Sequence, residues 1–251
     1  MIIALPALTQ NSFEKKVHVK NSDTLPYNLL IPKEFADSFN DGREKALEEK
    51  KFPLVLFLHG AGERGTDNEK QIGHIKKLFI DSANREKYQV FVVAPQCPEG
   101  KKWVEVDWSA KSHIIPTEPS WAMSNAISLI EDIIENYPVD TTRIYVTGLS
   151  MGGYGTWDVI SRYPEKFAAA IAICGGGDEK MAKKIKNIPI WAFHGSNDKV
   201  VPVSRSRNMI NAIKMAGGNP KYTEYKGVGH GSWINAYNEK LLLDWLFEQK
   251  K

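Results

Sequence analysis

The chain has 251 residues and a mass of 28.3 kDa, long enough to bury a large core in one α/β domain. It is 42% hydrophobic and 25% charged, with a formal net charge of only +3, which is typical of a globular protein rather than a disordered chain. Its basic residues are scattered among acidic ones instead of forming a dense stripe, so we expect no nucleic-acid partner. No apolar run reaches the length of a membrane span, so we expect no membrane partner.

The N-terminal stretch MIIALPALTQ allows two interpretations. It is a short apolar run that ends in small residues, as the tail of a secretory signal does, but it lacks the basic front end of such a signal. The alternative is an irregular apolar arm that packs on the domain. We therefore predict an arm or signal-peptide remnant over residues 1–14 and a single domain over 15–251. A secreted or periplasmic location is favoured over a cytoplasmic one.

The first half of the chain begins with a predicted hairpin. Two short apolar segments, KKVHVK and LPYNLLIP, are separated by the turn-like NSDT. The runs FPLVLFLHG and YQVFVVAPQ are continuously apolar, as expected for strands buried on both faces of a sheet. A helix is predicted between them near residues 69–82, a long polar loop over 97–120, and a further helix from Trp121 to Tyr137.

Strands and helices alternate through the second half. The strand-like segments are RIYVT, AAAIAIC, NIPIWAFHG and KYTEY, and helical patterns separate or follow them. Such alternation predicts a mostly parallel sheet with helices on both faces. Because an antiparallel hairpin leads the chain, we expect the sheet to be mixed.

The pentapeptide GLSMG, residues 148–152, follows one of these strands and precedes a helix. Gly-x-Ser-x-Gly in this context is typical of a sharp turn that presents a nucleophilic serine above the sheet. Glycines on both sides let strand and helix approach closely. We therefore predict that Ser150 is a nucleophile.

A serine nucleophile needs a base and a carboxylate that orients the base. His230, in GVGHGSW after the last predicted strand, is the favoured base among six histidines, and His113 in the long loop is its rival. Asp198, in HGSNDKVVP, is the favoured carboxylate, and Asp178 after CGGG is the alternative. Ser150, Asp198 and His230 follow the chain order that distinguishes α/β-hydrolases from other serine hydrolases.

When the serine attacks a carbonyl group, the carbonyl oxygen becomes an oxyanion, and backbone N–H donors are needed to stabilise it. We predict that Met151, at the start of the helix, and Ala61, in the loop HGAGERG, supply them. Gly62 is the next candidate in that loop and is expected to border the substrate. Glu63 and Arg64 are expected to form a local ion pair that shapes the loop, with contact to substrate as the alternative.

Three tryptophans are candidates for an aryl or sugar site. Trp103 and Trp108 lie in the long polar loop, and Trp233 follows His230 in the sequence. Because tryptophan is largely buried on average, packing in the core is the alternative for each of them.

The motifs HGAGERG, APQ, GLSMGGYGTWD, FHGSNDKVVPV and GHGSW, in this order and spacing, resemble the α/β-hydrolase superfamily. Within it they resemble the branch of feruloyl esterases, acetylxylan esterases and polyhydroxybutyrate depolymerase-like proteins. The likeness extends from about residue 15 to the C-terminus.

The resemblance implies an eight-stranded sheet, a Ser-His-Asp triad and hydrolysis of esters without metal or cofactor. It points to feruloyl, acetyl or similar esters of plant polysaccharide, or to small aryl esters. A prolyl oligopeptidase-like serine peptidase and a non-catalytic binding module on the same scaffold stay open as alternatives. The oligomeric state is left open.

The sheet order that this superfamily implies, 1-2-4-3-5-6-7-8, also bears on the two cysteines. Cys97 follows strand 4 and Cys174 follows strand 6, so about three strand spacings of roughly 4.8 Å separate them. A disulfide needs Cα atoms within about 7 Å. Both thiols are therefore predicted to be free, unless the long loop folds back and brings them together.

Overall fold

A computed structural model of the chain describes residues 12–40 and 50–251. The predicted N-terminal arm or signal remnant falls mainly on residues 1–11, which lie outside the described residues. Phe13 packs against a buried apolar cluster, and the first strand begins one residue later.

One eight-stranded sheet forms the centre of the molecule, in the order β1-β2-β4-β3-β5-β6-β7-β8. This confirms the predicted α/β-hydrolase fold and its strand order. The strands are β1 (Glu14–Lys20), β2 (Asp23–Leu30), β3 (Phe52–Leu58), β4 (Phe91–Pro95), β5 (Val139–Leu149), β6 (Ala169–Ile173), β7 (Ile190–Gly195) and β8 (Lys221–Tyr225).

The sheet is mixed, as the leading hairpin predicts. β1 pairs antiparallel with β2, and β2 pairs antiparallel with β4, whereas the pairs from β4 and β3 through to β8 are parallel. The carboxyl ends of the parallel strands therefore meet at one edge. Loops that follow these strands can bring their side chains together there.

Helices cover both faces of the sheet. They are α1 (Lys33–Asn40), α2 (Lys76–Ile80), α3 (Ser82–Lys87), α4 (Trp121–Asn136), α5 (Met151–Arg162), α6 (Ala182–Ile185), α7 (Ser204–Met215), α8 (Trp233–Tyr237) and α9 (Leu242–Glu248). Alternate residues of β3 enter different cores: Leu56 packs with α1, α4, α5 and α7, and Phe57 packs with α2, α8 and α9. Burial on both faces explains why β3 reads as a continuous apolar run.

The helix expected near residues 69–82 is broken into shorter pieces. A 3-10 turn at Lys70–Ile72 precedes α2, and the extended backbone of Asp81 separates α2 from α3. The Asp81 carboxylate accepts hydrogen bonds from the backbone N–H groups of Ala83 and Asn84. This N-cap competes with continuation of the helix and starts a new one.

The segment between β4 and α4 contains no helix or strand, as predicted for the long loop, and buried side chains fasten it to the domain. Arg205 of α7 is fully buried, and its Nη1 donates to the carbonyl oxygen of Lys111 at 2.9 Å. Arg162 of α5 donates to the carbonyl oxygen of Pro116 at 2.7 Å. Ties of this kind fix the loop as part of the domain surface.

Both cysteines are free thiols and fully buried, which confirms the prediction made from the sheet order. Burial raises the pKa of each thiol to about 12. In the described part of the chain, no helix is both long and apolar enough to cross a membrane.

The junction of β5 and α5 is the tightest backbone contact near the end of the sheet. A Cβ atom on Gly152 would lie 1.8 Å from the carbonyl oxygen of Leu58, and one on Gly148 would lie 2.2 Å from the carbonyl oxygen of Gly152. Neither position has room for a side chain. The two glycines of the GLSMG motif therefore let the first turn of α5 rest directly on the ends of β3 and β5.

We expect Gly152→Ala to destabilise the protein by roughly 3 kcal/mol or more, because the added methyl group can be accommodated only if the backbone of β3 or α5 shifts. Gly62→Ala is the matched control, since a Cβ there meets no atom within 4 Å, and it should change the free energy of unfolding by less than about 0.5 kcal/mol. Urea denaturation followed by circular dichroism measures both. Equal effects of the two substitutions would contradict this account of the junction.

Candidate active site

Ser150 lies between β5 and α5 in a backbone conformation that residues other than glycine rarely adopt. Its φ is 53° and its ψ is −116°, and its N–H donates to the carbonyl oxygen of Ile173 at 2.9 Å. Strain of this kind persists only where the surrounding structure enforces it. The tight packing of Gly148 and Gly152 supplies that enforcement and holds the serine hydroxyl above the sheet.

His230 and Asp198 meet Ser150 at the carboxyl edge of the sheet. The Oγ of Ser150 lies 2.8 Å from Nε2 of His230, and Nδ1 of His230 lies 2.7 Å from Oδ2 of Asp198. The neutral imidazole tautomer with its proton on Nδ1 satisfies both contacts, since Nε2 can then accept the serine proton. The structure thus brings together the three residues that the sequence selected.

The carboxylate of Asp198 is fully buried and held from several sides. Its Oδ1 accepts from the backbone N–H groups of Val200 and Val201, each at 2.9 Å, and its Oδ2 lies 3.2 Å from Nε2 of His194. Burial alone would raise the pKa of Asp198, but the hydrogen bonds from the two histidines and the two N–H groups outweigh it and hold the pKa well below its usual range. The group therefore stays ionised.

His194 is the member of this cluster that sequence reasoning did not assign to the site. It is fully buried, and its Nδ1 lies 2.7 Å from Oγ of Ser206. The i,i+4 spacing of His194 and Asp198 in HGSND is the available signal. Without the turn geometry after β7, that spacing does not show that the two side chains face each other.

The alternative residues have other partners. Asp178 accepts from the backbone N–H groups of Ile115 and Lys180, each at 3.0 Å, so its carboxylate braces the long loop. Nδ1 of His113 lies 2.5 Å from Nη2 of Arg205. Burial, with the Arg205 charge, lowers the pKa of His113 to about 4. Neither side chain is among the groups bonded to Ser150 or His230.

The loop after β3 forms a 3-10 turn over Ala61–Glu63. The Glu63 carboxylate pairs with Nε2 of His74 at 3.2 Å, while Nε of Arg64 donates to the carbonyl oxygen of Ala61 at 3.0 Å. The predicted Glu63–Arg64 ion pair is therefore wrong, because the two side chains leave the turn toward different partners. Gly62 is exposed at the tip of this turn, and its contact with substrate stays a prediction.

The predicted oxyanion donors lie on two elements that meet near Ser150. Met151 is the first residue of α5, where backbone N–H groups have no partner within the helix and carry partial positive charge. Ala61 follows the end of β3, against which the first turn of α5 packs. Their roles as donors stay predictions.

The prediction that Trp103 contacts substrate is wrong. Its side chain is 0% exposed and its Nε1 donates to the carbonyl oxygen of His59 at 3.0 Å. The ring packs edge-on against His59, with centroids 5.3 Å apart. The start of the long loop folds back over the sheet, so this large apolar ring fills the core, as the alternative interpretation held.

The other two tryptophans remain at the surface of the core. Trp108 is half-buried, and its carbonyl oxygen accepts from the hydroxyl of Tyr154 at 2.8 Å. Trp233 is half-buried and meets the imidazole of His230 edge-on, with ring centroids 5.4 Å apart. Contact with substrate stays a prediction for both, and Trp233 lies next to the catalytic candidates.

Within the described residues, one cluster has the composition of a metal site. The Sγ of Cys174 and ligand atoms of Asp198 and His230 all lie within 4.8 Å of one another. Asp198 and His230 are hydrogen-bonded to each other, and Ser150 engages the second ring nitrogen. These contacts account for the cluster without an ion, and the expectation that no metal or cofactor is needed stays a prediction.

The Phospholipase/Carboxylesterase family model matches residues 44–239, which include the β3 loop, the strained serine and the Asp-His pair. The chain belongs to the phospholipase/carboxylesterase family. This confirms the resemblance to α/β-hydrolase esterases.

The chain is also similar to several known proteins. A thermostable esterase of known structure is 39% identical to this chain, and the two structures superpose with a TM-score of 0.83. The match covers 95% of this chain and 63% of the esterase chain. The bifunctional acetylxylan esterase/xylanase XynS20E of Neocallimastix patriciarum is 38% identical over 59% of this chain. Carboxylesterase SOBER1 of Arabidopsis thaliana is 24% identical over 79% of it. The chain spans 20% of the length of XynS20E and 91% of SOBER1.

We expect Asp198→Asn to lower the rate of p-nitrophenyl acetate hydrolysis by roughly four orders of magnitude, because an amide in place of the carboxylate would favour the wrong tautomer of His230. Asp178→Asn is the matched control. It should leave the rate within about threefold of wild type, because Asp178 is bonded to the N–H groups of Ile115 and Lys180 and not to His230. Steady-state kinetics on both folded variants measures this. Collapse of the rate in the control alone would transfer the role to Asp178.

The free energy of unfolding should depend less on pH in His113→Gln than in wild type. Burial holds the pKa of His113 at about 4, against an ordinary value of 6.5, so the unfolded chain takes up a proton first as the pH falls. This residue's contribution to stability is therefore complete above about pH 6.5 and is lost progressively toward pH 4. Urea titrations at pH 7 and pH 4.5 measure the difference, and parallel losses in both proteins would contradict it.

Proposed function

We propose that the chain is a carboxylic ester hydrolase that works through an acyl-enzyme on Ser150. The observation that carries the proposal is the continuous hydrogen-bond path from Oγ of Ser150 through both nitrogens of His230 to the buried carboxylate of Asp198. A hydroxyl held in this way can lose its proton to imidazole as it attacks a carbonyl carbon. Membership of the phospholipase/carboxylesterase family supports the same chemistry.

In the first half-reaction, Ser150 attacks the ester carbonyl and His230 takes its proton. The tetrahedral intermediate carries negative charge on the former carbonyl oxygen, which the N–H groups of Met151 and Ala61 stabilise. His230 then gives its proton to the departing alkoxide, and the alcohol leaves. In the second half-reaction a water molecule attacks the acyl-enzyme in the same way and releases the acid.

Asp198 serves this cycle by staying ionised. Its hydrogen bonds hold its pKa well below the usual range against the effect of burial, so it accepts a hydrogen bond from Nδ1–H of His230 throughout and stabilises the imidazolium that forms in each half-reaction. His194 and the backbone of Val200 and Val201 fix the position of the carboxylate. Substrate binding can therefore begin with the base already oriented.

The proposed substrates are acetyl, feruloyl or similar esters on plant polysaccharide. Support comes from the likeness to XynS20E, whose name describes an acetylxylan esterase joined to a xylanase, and to an Aspergillus fumigatus protein named "Probable acetylxylan esterase A", which is 30% identical over 59% of this chain. The reaction as proposed needs no metal or cofactor, because serine, histidine and carboxylate supply the nucleophile, the base and its orienting group.

We expect Ser150→Ala to lower ester hydrolysis by on the order of a million-fold and to leave the protein folded. A fluorophosphonate probe should label wild type at Ser150 and should fail to label the variant. Ser22→Ala, in the exposed turn between β1 and β2, is the matched control and should behave as wild type. Turnover by Ser150→Ala within tenfold of wild type would remove the nucleophile assignment.

The substrate class is tested on wild type with p-nitrophenyl acetate, methyl ferulate, acetylated xylotriose and a dipeptide anilide. We expect the esters to be hydrolysed and the anilide to be spared. Faster turnover of the anilide than of every ester would favour a serine peptidase. Absence of turnover and of probe labelling would favour a binding module.

A further inference from the structure

A pocket of about 380 Å³ opens beside the triad, on the face of the sheet that α2, α8 and α9 cover. It lies between α2 and the start of α3 on one side and α8 on the other, and its lining includes His74, Lys77, Asn84, Trp233 and Asn238. We call it the lateral pocket. Its volume falls in the range of small-molecule sites, and none of the steps of hydrolysis described above uses it.

Two aromatic rings connect the lateral pocket with the triad and with the β3 loop. Trp233 meets the imidazole of His230 edge-on, with centroids 5.4 Å apart, and the ring of His74 lies 5.4 Å from that of Trp233. His74 in turn pairs with Glu63, two residues after Ala61. One wall of the pocket, Trp233, therefore contacts the side chain that handles the leaving-group proton.

The position of His230 determines which half of the ester lies nearest to this pocket. Its Nε2 must come within hydrogen-bond distance of the alcohol oxygen to protonate it as it leaves. The acyl half is fixed at the other end, because its carbonyl oxygen points to the N–H groups of Met151 and Ala61. An alcohol larger than methanol can therefore extend past His230 toward Trp233, which contacts the His230 ring.

The walls of the lateral pocket combine aromatic surface with groups that can accept or donate hydrogen bonds. Nδ2 of Asn84 donates to the carbonyl oxygen of Leu78 and Nδ2 of Asn238 to that of Ile234, which leaves the two amide oxygens as acceptors. The exposed Lys77 ammonium adds donors. A pyranose ring presents an apolar C–H face and hydroxyl groups that both donate and accept, which matches this combination of aromatic and polar walls.

We propose that the lateral pocket binds the alcohol half of the substrate, as one ring of a neutral sugar. This rests on the proposed ester hydrolysis at Ser150 and specifies its substrate by the sugar that forms the alcohol half. Trp233 then contacts the sugar as well as the rings of His230 and His74. Trp233, and not the buried Trp103, is then the aromatic side chain that contacts the substrate.

The test compares two esters whose bulky parts lie on opposite sides of the scissile bond. Acetylated xylotriose has a small acyl group and a sugar alcohol, and methyl ferulate has a large acyl group and methanol. We expect Trp233→Leu to lower kcat/KM for acetylated xylotriose about ten- to a hundredfold more than for methyl ferulate. Lys77→Ala should lower it selectively by about two- to tenfold, and Lys76→Ala, the neighbouring exposed lysine outside the pocket, should change neither substrate.

Equal losses on the two esters would overturn the proposal, because Trp233 would then act only by packing on His230. A selective loss on methyl ferulate would also overturn it, since the pocket would then hold the acyl half. If Trp233→Leu fails to fold, as judged by thermal melting, the surface variant Lys77→Ala decides on the same criterion.

A binding experiment separates this proposal from the proposed function. Xylotriose, the product alcohol, should bind to Ser150→Ala protein, and Lys77→Ala in that background should weaken its Kd by about two- to tenfold. Binding unaffected by Lys77→Ala would place the sugar elsewhere. Hydrolysis that persists in Ser150→Ala would instead contradict the nucleophile, whatever the pocket binds.

Discussion

The structure depends on the direct contact between the first turn of α5 and the backbone of β3. Because a Cβ on Gly152 would lie 1.8 Å from the carbonyl oxygen of Leu58, helix and strand approach as closely as their backbones allow. This one contact has two consequences. It holds Ser150 in its strained conformation, and it brings the loop that leaves β3, with Ala61, alongside the helix N-terminus. The proposed nucleophile and the predicted oxyanion donors are thus positioned together.

Buried polar groups complete the positioning and tie loops to the scaffold. A buried carboxylate is costly unless it is hydrogen-bonded, and Asp198 is held by His194, His230 and two backbone N–H groups. The fully buried Arg205 fastens the long loop to α7, because its Nη1 donates to the carbonyl oxygen of Lys111. If one partner were lost, the remaining charge would be buried without compensation, which is strongly destabilising. These contacts therefore hold the loops in one position in the folded protein.

Much of the fold and of the catalytic cluster could be predicted from the sequence, because strand order and motif order constrain each other. Once Ser150 follows a buried strand, loops after later strands must lie at the same edge, so Asp198 and His230 could be selected by position. Side-chain burial within irregular segments could not be predicted in this way. Trp103 has no periodicity to show which way it faces, and the pairing of Glu63 with His74 depends on how two loops pack across the sheet edge.

The position of β3 in the sheet bears on how the chain folds. Its register with β5, in which Leu54 lies opposite Ile144, joins segments separated by more than a third of the chain. Bringing these two distant segments together costs conformational entropy, and contacts between near neighbours in sequence do not offset this cost. Strand pairs between distant segments therefore slow folding. The hairpin of β1 and β2 forms locally, but the apolar centre of the sheet must wait for β5. During synthesis β3 is therefore made long before the partner on its β5 side exists, and an unpaired apolar strand is where a nascent chain is most open to wrong association.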